Sequence, residues 1–219
     1  MVFRDRAEAG RRLAERLLHL KGAGPVVFAL PRGGVPVASP VAEALGAPLD
    51  LLLVRKIGAP GQPELALGAV VEGDPPQTVL NDEIVADLGV PPGFVAREEA
   101  RQLDEIGRRR RLWLRGHPAA QPRGRTVVVV DDGVATGATV RAALLALERA
   151  GAARRVLAAP VAPRDTAQAL RRLCDEAVFL AEPERLGSVG ACYGDFHQLD
   201  DTEVAALLDR AAEGRKGGG

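Results

Sequence analysis

Val127-Val128-Val129-Val130-Asp131-Asp132-Gly133-Val134-Ala135-Thr136-Gly137-Ala138-Thr139 is the stretch whose reading decides the fold. Four consecutive valines suit a strand covered on both faces, the pattern of a parallel sheet. The strand ends on two adjacent carboxylates, passes through a short Gly/Thr turn and enters a helix. The turn offers backbone N–H groups, and the helix behind it points its positive end at the same place. An anion such as a sugar 5′-phosphate can sit there on backbone donors. Thr136 and Thr139 add hydroxyl donors. Asp131 and Asp132 cannot bind phosphate themselves but suit sugar hydroxyls or a hydrated Mg²⁺ one step away. An ordinary strand–turn–helix connection needs capping residues, not paired acids. Both acids are expected at a strand end open to solvent, with no buried partner.

Upstream, residues 5–20 predict an amphipathic helix with Leu13, Leu17 and Leu20 on one face, stopped by Gly22, Gly24 and Pro25. Val26 to Leu30 reads as a short strand that breaks at Pro31-Arg32-Gly33-Gly34 into a helix running to about Leu45. Leu51 to Val54 reads as a second buried strand leading into Arg55-Lys56, and residues 57–64, rich in Gly and Pro, as a mobile loop. Residues 65–71 and 78–80 are β-prone and suggest a hairpin. Asn81 to Leu88 and residues 93–115 read as helices. The Arg108 to Arg111 run on the second reads as a solvated face rather than a nucleic-acid contact.

Downstream, helices over 139–150, 164–173 and 201–212 alternate with strands over 155–160 and 177–181, around an irregular segment 186–198. The Gly217 to Gly219 tail is expected to be disordered. The alternation predicts an α/β fold, a parallel sheet of about five strands with helices on both faces and a small hairpin/helical excursion. Ligands in such sheets bind beyond the carboxyl ends of the strands. Loops 31–34, 55–61 and 131–139 are expected to open on that one edge.

Bulk properties narrow the class. The 219 residues suffice for one domain, and the formal net charge of zero argues against a polyanion partner. No apolar run approaches the ~18 residues of a membrane span, and the N-terminus lacks a signal-peptide core. Cys174 and Cys192 have no metal-ligand spacing and read as free thiols, consistent with a cytoplasmic location. His19, His117 and His197 are scattered, without Asp, Ser or Cys partners in sequence.

With these residues in view, the 127–139 segment resembles the phosphoribosyl pyrophosphate (PRPP) motif of type I phosphoribosyltransferases. Pro31-Arg32-Gly33-Gly34 resembles that family's pyrophosphate loop, and Arg55-Lys56 with Gly58 and Pro60 its basic pair and flexible loop. The resemblance covers roughly residues 24–181 of a single domain spanning 1–219. It leaves 82–124 as a helical insertion and 182–213 as a candidate part of a hood. It is closest to the uncharacterised predicted branch of the family.

The resemblance implies Mg²⁺-dependent transfer of a phosphoribosyl group from PRPP to an unidentified nitrogenous acceptor, with release of pyrophosphate. Asp131 and Asp132 would take the ribose hydroxyls and orient Mg²⁺ indirectly. Val134, Ala135, Thr136, Gly137, Ala138 and Thr139 would hold the 5′-phosphate. Arg32, Gly33 and Gly34 would face pyrophosphate, with Arg55 and Lys56 adding charge. Alanine at 135, where the 6-oxopurine branch carries an acid, argues against a hypoxanthine/guanine enzyme. Gly133 stands where many members keep an aliphatic residue. Tyr193, Phe196 and His197 are candidates for stacking on an aromatic acceptor, and a homodimer is left open. The alternatives are a non-catalytic PRPP-sensing regulator and a ribose-phosphate hydrolase; the latter lacks an evident nucleophile–base pair.

Overall fold

The alternation in the sequence becomes a five-stranded parallel sheet in the computed structural model, which describes residues 3–116 and 119–216. The strands are β1 (Val26–Ala29), β2 (Leu49–Leu51), β6 (Thr126–Val130), β7 (Arg154–Val161) and β8 (Glu176–Ala181), in spatial order β2-β1-β6-β7-β8. Every pairing among them is parallel, with Phe28 opposite Val129 and Val129 opposite Leu157.

The valines of β6 explain why the sheet needs cover on both sides. Val128 and Val130 join one core with Leu13, Leu17, Val37 and Val41 of helices α1 (Arg6–Leu17) and α2 (Gly34–Leu45). Val127 and Val129 join the opposite core with Val140, Leu144 and Leu147 of α5 (Ala138–Arg149) and Leu170 of α6 (Arg164–Arg171). All four valines are fully buried. At ~1.5–3 kcal/mol for each fully buried aliphatic side chain, a polar substitution here would remove a large share of a domain's net stability.

The hairpin expected around 65–80 is a second sheet. Strands β3 (Val54–Ala59), β4 (Gln62–Val71) and β5 (Gln77–Leu80) pair antiparallel in the order β3-β4-β5. This corrects two expectations. Leu51 to Val54 is not one strand: the chain leaves the parallel sheet after Leu51 and begins the antiparallel sheet at Val54. Residues 57–64 are not a loop but the paired arms of β3 and β4, turning at Pro60-Gly61, with Ile57 and Ala59 buried. Glycine and proline here mark a hairpin turn and a bulge, because side-chain alternation carries on through them.

Helices α3 (Asp82–Asp87) and α4 (Phe94–Leu114) follow, and α7 (Asp201–Lys216) closes the described chain. Asn81 caps α3 through its side-chain carbonyl. The arginine run of α4 is not a uniformly solvated face. Arg110 turns inward, donating to both Asp50 of β2 and Glu72 just after β4. The expectations for residues 217–219 and for His117 lie outside the described residues. Among the described residues no helix is long and apolar enough to cross a membrane.

Candidate active site

Strand β6 delivers Asp131 and Asp132 to the carboxyl edge of the parallel sheet, beside the turn that follows β1. The proximity is visible at the glycines. A Cβ on Gly33 would fall 2.0 Å from Oδ2 of Asp132, and one on Gly34 would fall 2.6 Å from the carbonyl oxygen of Val130. Glycine at both positions is what lets the two turns touch. The 31–34 loop and the acids therefore share one site, as the strand order requires. Arg32 rises from this loop and donates to the Leu199 carbonyl at 2.8 Å, with Asp201 of α7 at 3.2 Å.

The acids are not simply open to solvent. Nε of Arg6, from the first turn of α1, stands 2.8 Å from Oδ2 of Asp132, and the Arg6 side chain is only 9% exposed. Arg6 also donates to the His197 carbonyl at 3.0 Å. The Tyr193 hydroxyl donates to the Asp132 carbonyl. Asp131 accepts the Asp132 backbone N–H at 2.9 Å. Burial, then the neighbouring charge of Asp132, holds the Asp131 carboxyl well above the usual carboxylate range.

Beside the acids opens a cleft of about 610 Å³, lined by Arg6, Arg32 and Gly33, by Arg109 and Asp132, and by residues 196–199. Phe196, offered by the sequence as a stacking surface, is already engaged. Its ring packs against Tyr193 at 5.2 Å, and the Arg6 guanidinium lies 3.8 Å from its centroid. Tyr193 is buried against Phe3 and Phe196 and is not a free platform. His197 instead pairs with Glu203 at 2.9 Å, and this carboxylate raises the imidazole pKa above its ordinary value.

On the other side of the acids, residues 133–139 connect β6 to α5. Val134 donates its N–H to the Val161 carbonyl, and the Thr166 hydroxyl caps the Ala135 carbonyl. Gly137 takes φ +79°, which favours glycine, and leads into α5. Thr136, Ala138 and Thr139 line this turn and the first turn of α5. The first N–H groups of α5 have no acceptor within the helix. Gly133 has a steric cause: a Cβ there would lie 2.5 Å from Val189, whose segment packs over the turn.

The basic pair divides. Arg55 faces α4, donating to Gln102 at 3.0 Å. Lys56 points the opposite way along the antiparallel strand, to Glu64 at 3.1 Å, and does not line the cleft. Loop 55–61 therefore does not converge with the other two, because it is strand in a separate sheet rather than a turn at the parallel edge. The sequence reading missed Arg6 and Arg109. A signal for the first was present: Arg6 shares a helical face with Ala9, Leu13 and Leu17, where a charge needs a buried partner.

Among the described residues no group of three or more His, Cys, Asp or Glu is arranged to hold a metal ion. The adjacent carboxylates Asp131 and Asp132 would hold a Mg²⁺ only indirectly, through water or sugar hydroxyls.

Comparison with known proteins shows the family. Residues 4–184 match the family described as "Phosphoribosyl transferase domain". A Mycobacterium tuberculosis H37Rv protein, "Putative phosphoribosyl transferase Rv0571c", is 47% identical over 210 residues, 96% of this chain and 47% of the relative. Its counterpart in strain CDC 1551, MT0597, matches to the same extent. The chain thus spans about half the length of the curated relatives it matches. The crystal structure of TT1426 from Thermus thermophilus is 46% identical with a TM-score of 0.81, covering 95% of this chain and 98% of that one.

Proposed function

The chain belongs to the phosphoribosyl transferase domain family, and on that premise we propose that it moves a phosphoribosyl group from PRPP to a nitrogenous acceptor, releasing pyrophosphate. The observation that carries this reading is the contact of the Gly33–Gly34 turn with Asp132 and Val130. It supports the reading because a glycine turn that would suit pyrophosphate lies directly against two acids that would suit a ribose diol.

In this reading the 5′-phosphate rests on the backbone of residues 135–139 and the N-terminus of α5. Asp131 and Asp132 take the ribose hydroxyls. Arg32 and the backbone of Gly33 and Gly34 face the departing pyrophosphate. The bond from ribose C1 to the pyrophosphate oxygen breaks and its electron pair leaves with pyrophosphate. The acceptor nitrogen supplies the pair for the new C1–N bond and loses its proton to solvent. Mg²⁺ carried by the substrate, with Asp131 and Asp132 holding its shell, would offset charge on the pyrophosphate oxygens. The protein's share is positioning and electrostatics, with no covalent nucleophile.

The test is PRPP-dependent pyrophosphate release across a panel of purine, pyrimidine and pyridine bases with Mg²⁺. Release with one acceptor, abolished by omitting PRPP, is the expected result. PRPP binding by calorimetry without release from any acceptor would favour a sensing protein instead. Absence of PRPP binding would overturn both.

A further inference from the structure

A second cavity, of about 320 Å³, opens between the β2 edge of the parallel sheet, helix α4 and the last turn of α5. That volume is within the range of small-molecule sites. The cavity shares no lining residue with the cleft beside Asp132. Helix α5 begins near the acids and ends at this cavity, so about 15 Å of helix separates the two. Phe28, Leu52, Ile106 and Leu147 give it a buried apolar floor. Residues 73–76 and 119–123 form its mouth, where exposed Asp74 and Arg123 offset one another's charge. We infer that this cavity is a binding site for a small amphipathic cation, with an apolar body on the floor and an amino or amidine head toward Glu72 and Asp50.

Two features carry the inference. The first is Gly107, in the middle of α4, which lines the cavity. Glycine inside a helix costs about 0.5–1 kcal/mol relative to alanine. Neither a positive φ nor a close approach demands it here, since a Cβ would meet only the flexible tip of Arg111, at 3.3 Å. What a larger side chain would take up is the cavity itself. The second feature is charge. Arg110 is one guanidinium between two cavity-lining carboxylates, 3.1 Å from Asp50 and 2.9 Å from Glu72. Asp50 also accepts the backbone N–H groups of Leu51 and Ala120. Among the described residues Oε2 of Glu72 accepts from Arg110 alone. The cluster thus carries one negative charge more than it balances, beside apolar carbon. Burial, and to a lesser extent the charge of Asp50, raises the Glu72 pKa. A cationic donor head would supply the missing charge and a bond to Oε2. An anion would meet the same excess and be repelled.

The probe is benzamidine, a phenyl ring carrying an amidinium, and its control is benzoate, the same ring carrying a carboxylate. Calorimetry on the full chain measures affinity, and backbone amide NMR shifts map the site. Wild type should bind benzamidine about tenfold or more tighter than benzoate, with the largest shifts at Gly107, Ala120 and Leu147. Gly107→Leu fills the cavity and should weaken benzamidine about tenfold or more, with Gly107→Ala between it and wild type. Glu72→Gln should weaken benzamidine and narrow its advantage over benzoate. Circular dichroism melts establish that each variant is folded, and the wild-type shift map decides the inference even where one is not. Equal affinity for the two probes, shifts centred outside the cavity, or a folded Gly107→Leu that binds as wild type does would overturn it. So would the absence of benzamidine binding at about 10 mM, a weak affinity even for a fragment of this size.

Discussion

Arg6 and Asp132, 126 positions apart in sequence, form a nearly buried ion pair with Nε 2.8 Å from Oδ2. The chain's first helix is thereby fastened to the acid that the fold presents for chemistry. A substitution at Asp132 therefore does more than remove the proposed ligand for ribose.

Asp132→Asn should cost stability as well as activity. It leaves the Arg6 guanidinium covered and without counter-charge, a loss of about 2–4 kcal/mol for a pair at the rim of a cleft. Urea midpoints are the measure. Arg6→Ala combined with Asp132→Asn should lose less than the sum of the two single changes, since neither charge is then stranded. Equal stability of wild type and Asp132→Asn would mean that solvent reaches Arg6 freely.

The two glycines of the 31–34 turn should respond differently to alanine. At Gly34 the new methyl meets the Val130 backbone, which is fixed in the sheet, so Gly34→Ala should destabilise by about 2 kcal/mol or more. At Gly33 it meets the Asp132 carboxylate, whose Oδ2 pairs with Arg6. Gly33→Ala should then lose the stability of that ion pair, a loss that shrinks in an Arg6→Ala background, together with most PRPP affinity. Thermal melts paired with ligand calorimetry separate these outcomes.

Gly137→Val should abolish binding of ribose 5-phosphate. The backbone there has φ +79°, and a Cβ would already lie 3.0 Å from the Thr166 methyl. A β-branched residue adds strain to that turn just where it meets α5. Unchanged calorimetric affinity would move the phosphate to another part of the fold.

Arg110 joins two buried acids, Asp50 and Glu72, and so ties α4 to both sheets. Arg110→Ala should cost about 3 kcal/mol, whereas Arg111→Ala, one residue along on the exposed side, should stay within about 0.5 kcal/mol.

The same hub makes a pH prediction. Burial raises the Glu72 pKa above its ordinary value despite Arg110. The native state therefore holds this proton more tightly than the unfolded chain. The contribution is full below the unfolded-state pKa and fades as pH rises through the native one. The stability of wild type relative to Glu72→Gln should accordingly grow as pH falls from neutral through the carboxylate range. A difference independent of pH would mean that Glu72 titrates normally.

The parallel sheet and its acid-bearing edge were legible because four valines followed by two aspartates constrain a strand on both faces and at its end. The 31–34 turn was legible because it too sits at the end of a short apolar strand. Lys56 was misplaced for a physical reason. Adjacent residues on a strand point to opposite faces, so once Arg55 turned toward α4, Lys56 had to turn away. Composition marked 57–64 as irregular, but pairing with β4 makes it a hairpin, and that pairing is not local information. Arg109 and Arg110 looked like part of a solvated run. Only the tertiary packing of α4 separates a cleft-facing guanidinium from a buried hub and both from an exposed neighbour.

The cleft draws Arg6 from one end of the sequence and residues 196–199 from near the other. Among the described residues every strand is complete by Ala181, and the family match ends at residue 184. During synthesis from the N-terminus, the sheet and its paired acids can thus assemble while one wall of the cleft is still inside the ribosome. Protease clipping near residue 195 would take away that wall together with Val204 and Leu208 of α7, which are buried in the core that also holds Val128 and Val130. At this end of the chain one segment serves both fold integrity and site completeness, so a single cut damages both.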